Sequence, residues 1–481
     1  MSALPLPVGR DENPERTGGD LHPWLDPAAC DRARLARDAR FDGRFFTGVL
    51  TTRIYCRPIC PVRPARSEHV RFFPSAAAAE HAGFRPCLRC RPELAPGLPM
   101  ESGAAGVITR ALDLLHRGFL DEHRVEDLGT AAGVGSRHLT RLFDRHLGAP
   151  PGVIARTRRV QMAKLLLSET TLPITAIAFA AGFASIRRFN AAFVETYGSA
   201  PSHIRRTPPR RSLNDHTITL RLGFRAPLNW PLLQALLEAE ATPGVEQVDR
   251  RAYRRTVLVN GLPGWLEAGP ADRGDYLKLS LALPEYSHLR DVLAQVRRMF
   301  DLDADPMRIT QQLEHEPIAG PLIRTWPGVR LPGSWDGFEI AVRSVVARHV
   351  AAARVSEIMG RLVRAYGRRI GRDPAYLFPP PQVLAKARPS SALSQPLAAD
   401  IRCLAKAAVG KAIRFDASMA FADLAASLRR IARLGAAEAR WIAMRTLGEP
   451  DAALFDGRER GDSWRPWRSY VAVLQSYVKL Q

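Results

Sequence analysis

The sequence predicts a multidomain chain: a small cysteine-clipped unit, an all-α tandem helix-turn-helix unit, an α+β unit and a final all-α unit. Three observations carry this. At 481 residues the chain is too long for one core, since a core accounts for about 150 residues. Four of its six cysteines stand in two close pairs between positions 56 and 90. A stretch of helix-forming sequence at 131–151 returns at 180–201.

Charge narrows the class of partner. Lys and Arg number 69 against 48 Asp and Glu, a formal charge of +21, and most of the excess is arginine. Such a surface suits a polyanion, because each neutralised phosphate releases counterions. No apolar run approaches the ~20 residues that span a bilayer, so no membrane partner is expected. The expected compartment is the cytoplasm, where clustered cysteines serve metal binding or catalysis more often than disulfides.

Residues 1–30 lack a basic start followed by an apolar stretch and are expected to form a disordered leader. The unit at 31–95 is organised by Cys56, Cys60, Cys87 and Cys90, a C-x3-C and C-x2-C arrangement. Four thiolates at this spacing suit tetrahedral zinc. Arg53, Arg57, Arg63, Arg66, Arg89 and Arg91 crowd the cysteines, so a collar that attracts phosphate is expected around them. Zinc keeps a thiol deprotonated at neutral pH, and the thiolate is the nucleophile. A structural clip and a reacting thiol both fit this pattern.

The stretch "FDGRFFTGVLTTRIYCRPICPVRPARSEHVRFFPSAAAAEHAGFRPCLRCRPE" (41–93) resembles the zinc domain of the Ada-type proteins that answer DNA alkylation, a small α+β fold. In that family the first of the four cysteines takes a methyl group from a methylated backbone phosphate. The resemblance implies that Cys56 is the methyl acceptor, that Zn2+ is held by Cys56, Cys60, Cys87 and Cys90, and that Thr52, Arg63 and Arg89 contact DNA. The acceptor tetrapeptide Pro-Cys-His-Arg of the family's second methyltransferase domain is absent, so repair of O6-alkylguanine is not expected. Cys403 reads as a buried thiol of an amphipathic helix, and Cys30 as a leader cysteine without a partner.

A Pro- and Gly-rich joint at 91–106 leads into the helical unit at 107–205. In each copy of the repeat a turn glycine (Gly133, Gly182) precedes a serine (Ser136, Ser185) placed to cap the next helix. One residue is inserted after the serine of the second copy. This is the layout of a helix-turn-helix, whose second helix offers its first residues to the major groove. The predicted outward positions are Arg137, His138 and Arg141, then Ile186, Arg187, Arg188 and Asn190. The tandem arrangement, with "GVIARTRRVQMAKLLLSE" as linker helix, resembles the AraC/XylS activators. It implies binding to double-stranded promoter DNA and recruitment of RNA polymerase.

After the joint at 205–216, strand-like alternation in "TITLRLGF", "RTVLVNG" and "YLKLSLAL" surrounds a helical "WPLLQALLEAE", predicting an α+β unit at 216–305. Helical spacing then dominates 306–481. The segments "DGFEIAVRSVVARHVAAARVSEIMGRLVRAYG", "RWIAMRTLGEPDA" and "WRPWRSYV" resemble AlkA-type 3-methyladenine DNA glycosylases of the helix-hairpin-helix superfamily. The resemblance implies that 216–305 is the α+β N-terminal domain of that fold, and that 306–481 is its helix-hairpin-helix domain. Such enzymes flip the damaged base into an aromatic pocket, where a carboxylate assists cleavage. By position, Asp456 is the catalytic candidate, with Asp451 and Asp462 as weaker ones, and Gly435 is the hairpin glycine that approaches DNA. Ala437 and Ser476 stand where pocket aromatics are expected. Trp441 is a remaining candidate wall, and about twenty residues of the family's pattern are missing after Asp456.

Three functions are consistent with these readings. The first is an alkylation sensor with a methyl-accepting zinc site, a regulator and a glycosylase domain whose own activity is weak or absent. The second is a regulator whose glycosylase-like half only binds DNA. The third is a zinc-sensing transcription factor, which the ordered context of Cys56 disfavours.

Overall fold

A computed structural model of the chain describes residues 26–97, 105–205, 217–371, 374–390, 393–416, 419–452, 454 and 463–479. It begins with helix α1 (Pro27–Ala36), capped by Asp26, whose carboxylate accepts from Ala28 and Ala29 N–H at 3.0 and 3.1 Å. Asp before Pro is a strong start signal. The predicted leader therefore stops earlier than residue 30, and Cys30 is buried against Ala33 and Phe45. The rest of the leader prediction lies outside the described residues.

Strands β1 (Phe46–Val49), β2 (Ile54–Cys56), β3 (Val70–Phe73) and β4 (Arg85–Pro86) form one sheet in the order β3-β1-β2-β4. β4 runs parallel to β2, pairing Ile54 with Arg85 and Tyr55 with Pro86. Helix α2 (Ala76–His81) covers the sheet with its four alanines. A core of Phe46, Tyr55, Phe73 and Phe84 lies between them. Gly48 is required in β1, because a Cβ there would come within 2.7–2.9 Å of Phe73 and Phe84 ring carbons.

The all-α unit contains α3 (Ala105–His116), α4 (Val125–Ala132), α5 (Ser136–Leu147), α6 (Pro151–Glu169), α7 (Ile174–Ala180), α8 (Ile186–Tyr197) and α9 (Pro201–Ile204). Gly133 and Gly182 hold φ of 85° and 89°, a left-handed turn conformation that costs glycine little. Ser185 caps α8, accepting from Arg188 N–H. In the first copy Gly135 occupies the cap, and Ser136 is already helical. The two serines are therefore not equivalent, and the extra residue of the second copy falls in the turn before its serine. Copy one buries Leu139, Phe143 and Leu147, and copy two buries Phe189, Phe193 and Tyr197.

Strands β5 (Thr217–Gly223), β6 (Glu246–Val248), β7 (Tyr253–Val259), β8 (Leu262–Pro270) and β9 (Tyr276–Ala282) form a sheet ordered β5-β9-β8-β7-β6, antiparallel throughout. Helices α10 (Trp230–Ala239) and α11 (Leu289–Met299) belong to this unit. Its core is continuous with the second helix-turn-helix: Leu166, Ile177 and Phe193 share a cluster with Leu220, Leu279 and Val296. The joint seen in the sequence marks a change of secondary structure and not a gap in packing.

The remaining helices are α12 (Pro306–Leu313), α13 (Ala319–Thr325), α14 (Gly337–His349), α15 (Val355–Tyr366), α16 (Pro381–Leu384), α17 (Gln395–Val409), α18 (Phe421–Ile431), α19 (Ala436–Leu447) and α20 (Arg468–Val478). A short pair, β10 (Arg368–Arg369) and β11 (Tyr376–Leu377), interrupts them. One core unites α14, α15 and α17–α19; a second joins α12, α13 and α20 to Leu232 and Leu236 of α10. Cys403 is exposed on α17, contrary to the buried thiol expected, because Ile401 and Leu404 take the inward positions. Among the described residues no helix is long and apolar enough to cross a membrane.

Candidate metal centre and nucleic-acid interface

The four cysteines that are far apart in sequence meet because β2 and β4 lie side by side. Cys56 ends β2 and Cys87 follows β4, with Cys87 N–H donating to Tyr55 C=O at 3.0 Å. A turn follows each strand, closed by Cys60 N–H to Arg57 C=O at 3.1 Å and by Arg91 N–H to Cys87 C=O at 3.2 Å. The four Sγ atoms all lie within 4.8 Å of one another. A tetrahedral zinc with sulfur at about 2.3 Å needs separations of about 3.8 Å, so the set fits the ion with little adjustment.

Thiols this close cannot all ionise without a cation. Hydrogen bonding from the Cys56 thiol holds Cys60 down at about 7 and lowers Cys87. Cys56 and Cys90 are raised, chiefly as the thiols that keep their protons toward neighbouring sulfurs. The backbone treats the sulfurs unequally. Arg57 N–H donates to Cys90 Sγ at 3.3 Å, Cys90 N–H serves Cys87 and Val62 N–H serves Cys60. Cys56 and Cys60 are partly buried, whereas Cys87 and Cys90 are buried.

The predicted arginine collar divides in two. Arg53, Arg63, Arg66 and Arg89 are exposed, as is Thr52. The Arg53 guanidinium lies over the Phe84 ring at 4.9 Å, which holds a cation beside the site. Arg57 and Arg91 do not belong to the collar. Arg57 is buried, its Nε donates to Asp42 Oδ1 at 2.9 Å, and its Nη1 donates to Cys90 C=O at 3.1 Å. Arg91 bridges Glu93 and Glu169. Arginine flanks its cysteines on both sides in the sequence, and nothing there separates inward from outward ones. The Asp42 partner, 15 residues away, carries no local signal.

Arg137, His138 and Arg141 are exposed on α5, and Ile186, Arg187, Arg188 and Asn190 are exposed on α8. They lie on the first turns, opposite the buried aromatic and leucine rows, as a groove-reading helix needs.

In the C-terminal half Gly435 is the N-cap of α19, with its N–H donating to Glu438 Oε2 at 3.0 Å. Ala437 is exposed on the same turn. Trp441 is partly buried and packs against the edge of the core shared by α12, α13 and α20. Ser476 donates to Ala472 C=O within α20 at 2.9 Å. Asp451 is held by Arg468 Nε at 2.7 Å and Arg465 Nε at 3.1 Å, with its side chain 14% exposed. Its lone pairs are committed to two guanidinium groups. Asp456 and Asp462 lie outside the described residues.

Comparison with known proteins gives three family matches in order along the chain. The metal binding domain of Ada matches residues 29–93, a helix-turn-helix domain matches 128–207, and the AlkA N-terminal domain matches 219–336. The chain is 37% identical over 472 residues to a probable bifunctional transcriptional activator/DNA repair enzyme AlkA of Mycobacterium tuberculosis, spanning 92% of this chain and 94% of that one. It is 29% identical to DNA-3-methyladenine glycosylase 2 of Escherichia coli, over 52% of this chain and 94% of the relative. It is 34% identical to the bifunctional transcriptional activator/DNA repair enzyme Ada of Escherichia coli, over 36% of this chain and 47% of the relative.

Proposed function

The chain belongs to the Ada/AlkA-type family of bifunctional transcriptional activators and DNA repair enzymes, and on that premise we propose that it senses alkylated DNA through Cys56. Cys56 takes a methyl group from a methyl phosphotriester, and the methylated protein then activates transcription through its two helix-turn-helix motifs. The observation that carries this reading is the asymmetry of the four sulfurs. Cys87 and Cys90 are buried and Cys90 accepts from Arg57 N–H, while Cys56 and Cys60 are partly exposed and Cys56 ends β2 beside the exposed Thr52 and Arg53. Reactive thiolates sit in partly exposed, electropositive surroundings.

Cys56, Cys60, Cys87 and Cys90 would hold zinc, which when bound keeps all four sulfurs as thiolates at neutral pH. The Cys56 sulfur attacks the methyl carbon from the side opposite the phosphate oxygen. A C–S bond forms, the C–O bond breaks, and its electron pair leaves with the phosphate as an ordinary phosphodiester anion. Arg63, Arg89 and Thr52 bind the flanking phosphates, and Arg53, held on Phe84, adds a cation beside them. The thioether carries one negative charge less than the thiolate, so repulsion between the site and DNA falls and binding tightens. Arg137, His138, Arg141, Arg187, Arg188 and Asn190 read the promoter, and RNA polymerase is the partner recruited there.

The C-terminal half acts as a DNA-binding module with weak or absent base excision. Ala437 and Ser476 cannot provide stacking faces worth ~1–3 kcal/mol each, Trp441 has part of its ring taken up by packing against the core, and Asp451 is neutralised by two arginines. Asp456 is the carboxylate left to assist cleavage if any occurs, and the Gly435 turn is the approach to the backbone. The test of the acceptor is peptide mapping of the zinc-loaded chain after incubation with duplex DNA bearing methyl phosphotriesters. The methyl is expected on the Cys56 peptide; finding it on Cys60, Cys87 or Cys90, or on none, refutes the assignment.

A further inference from the structure

The cysteine unit does more than present sulfurs, because the same elements that carry them seat the helix pair. Tyr55, the neighbour of Cys56 on β2, is wholly buried and donates its hydroxyl to Glu80 Oε1 at 2.8 Å. The other Glu80 oxygen accepts from Thr157 Oγ1 on α6 at 2.5 Å. One turn further along α6, Gln161 Nε2 donates to the Tyr55 hydroxyl at 3.4 Å. Among the described residues no ion pair reaches Glu80; hydroxyls alone satisfy it. A hydrogen bond holds the end of one recognition helix, and a side chain of the cysteine unit lies beside the end of the other. Ser75 Oγ donates at 2.7 Å to the carbonyl of Leu147, the last residue of α5. The Arg85 guanidinium on β4 lies against Gly198, which ends α8, with Nη1 3.0 Å from where a Cβ would stand.

We propose that Glu80 is a positioning residue that locks the cysteine unit to α6, so that the metal site and both recognition helices meet DNA as one rigid body. A partly buried carboxylate held by hydroxyls from two units is costly unless both stay in place, since losing either leaves an unpaired acceptor. Rigid coupling matters for binding because phosphate contacts made by Arg63 and Arg89 then add to those of α5 and α8. A loose tether would dilute one set relative to the other. The regulatory consequence rests on the methyl-acceptor reading given above; the lock itself does not.

The test uses the full zinc-loaded chain and three variants: Glu80→Ala, Glu80→Gln and Thr157→Val. Amide exchange is followed in α6 around Thr157 and in the last turns of α5 and α8, together with affinity for a random-sequence duplex and methyl uptake by Cys56. Glu80→Ala and Thr157→Val are expected to speed exchange at all three places and to weaken duplex binding by about tenfold, the scale of one lost buried hydrogen bond. Glu80→Gln, which keeps an acceptor for Thr157, is expected to restore most of both. Methyl uptake at saturating duplex stays at the wild-type level in every variant. Wild-type exchange and affinity in Glu80→Ala would overturn the lock. If Glu80→Ala fails to fold, Thr157→Val, at the other end of the same contact, decides by the same measures. Loss of uptake in the wild type itself would count against the acceptor reading and leave the exchange result standing.

Discussion

The cysteine unit and the C-terminal helical unit are both built to handle alkylated DNA in the family to which the chain belongs, yet they differ in how their chemistry is held. In the first, every residue singled out for the metal converges on one point, with all sulfurs within 4.8 Å. In the second, the described positions singled out for the pocket are small, packed against the core or already paired, and Asp456 lies outside the described residues. A metal site is specified by a few residues at fixed spacing and survives as long as two strands stay adjacent. A base pocket is specified by the shape of a whole cleft and by aromatic faces from several helices, so a few substitutions empty it.

Substitution should separate the halves. Cys56→Ser is expected to abolish methyl uptake entirely while most of the zinc-bound fold remains, because three thiolates are left; zinc content and peptide mapping check both. Asp451→Asn is expected to behave in the opposite way. Removing its charge leaves two arginines without their partner, at a cost of about 1–3 kcal/mol in unfolding free energy for a pair that is not fully buried. Release of 3-methyladenine, whatever its level, should not change. A drop in base release with unaltered stability would place Asp451 in the chemistry after all.

Much of this contrast was legible in the sequence, for a physical reason. The spacing of Cys56, Cys60, Cys87 and Cys90 and the turn glycines 133 and 182 are local signals, and the structure assembles the sulfurs and the two turns they predict. Residues that act through distant partners were not legible. Arg57 looked like part of the collar, but Asp42 draws it inside. Glu80 ends a run of alanines with no sign that Thr157 and Tyr55 would meet it. Ser136 matched Ser185 by letter, but the helix begins one residue too early for it to cap. Asp456, the weakest assignment, falls outside the described residues.

Smaller effects sharpen the comparison. Arg187→Ala or Arg188→Ala should weaken promoter binding by ~1–3 kcal/mol if the guanidinium reads a guanine edge, with no effect on methyl uptake; gel-shift titration against a selected site measures it. Burial pushes Glu80 up to about 7, offset by hydrogen bonds from Thr157 and Tyr55 and by the Arg156 charge. The buried Tyr197 hydroxyl also lies near. The folded state thus holds the Glu80 proton more tightly than the unfolded chain does. Its contribution is fully present below about pH 4.5, the ordinary value for glutamate, and is lost as pH rises through about 7. Exchange in α6, corrected for intrinsic rates, should therefore quicken between pH 5 and pH 8, and Glu80→Gln should remove that dependence.

The most direct test scores both halves in one sample. The zinc-loaded chain is incubated with duplex DNA treated with a methylating agent, then divided for peptide mapping and for an abasic-site assay. The account predicts one methyl group on the Cys56 peptide and few or no abasic sites above the background of the treated DNA. Methyl-free Cys56 together with abundant abasic sites would contradict it, since the C-terminal half would then be the working enzyme and the cysteine unit only a clip.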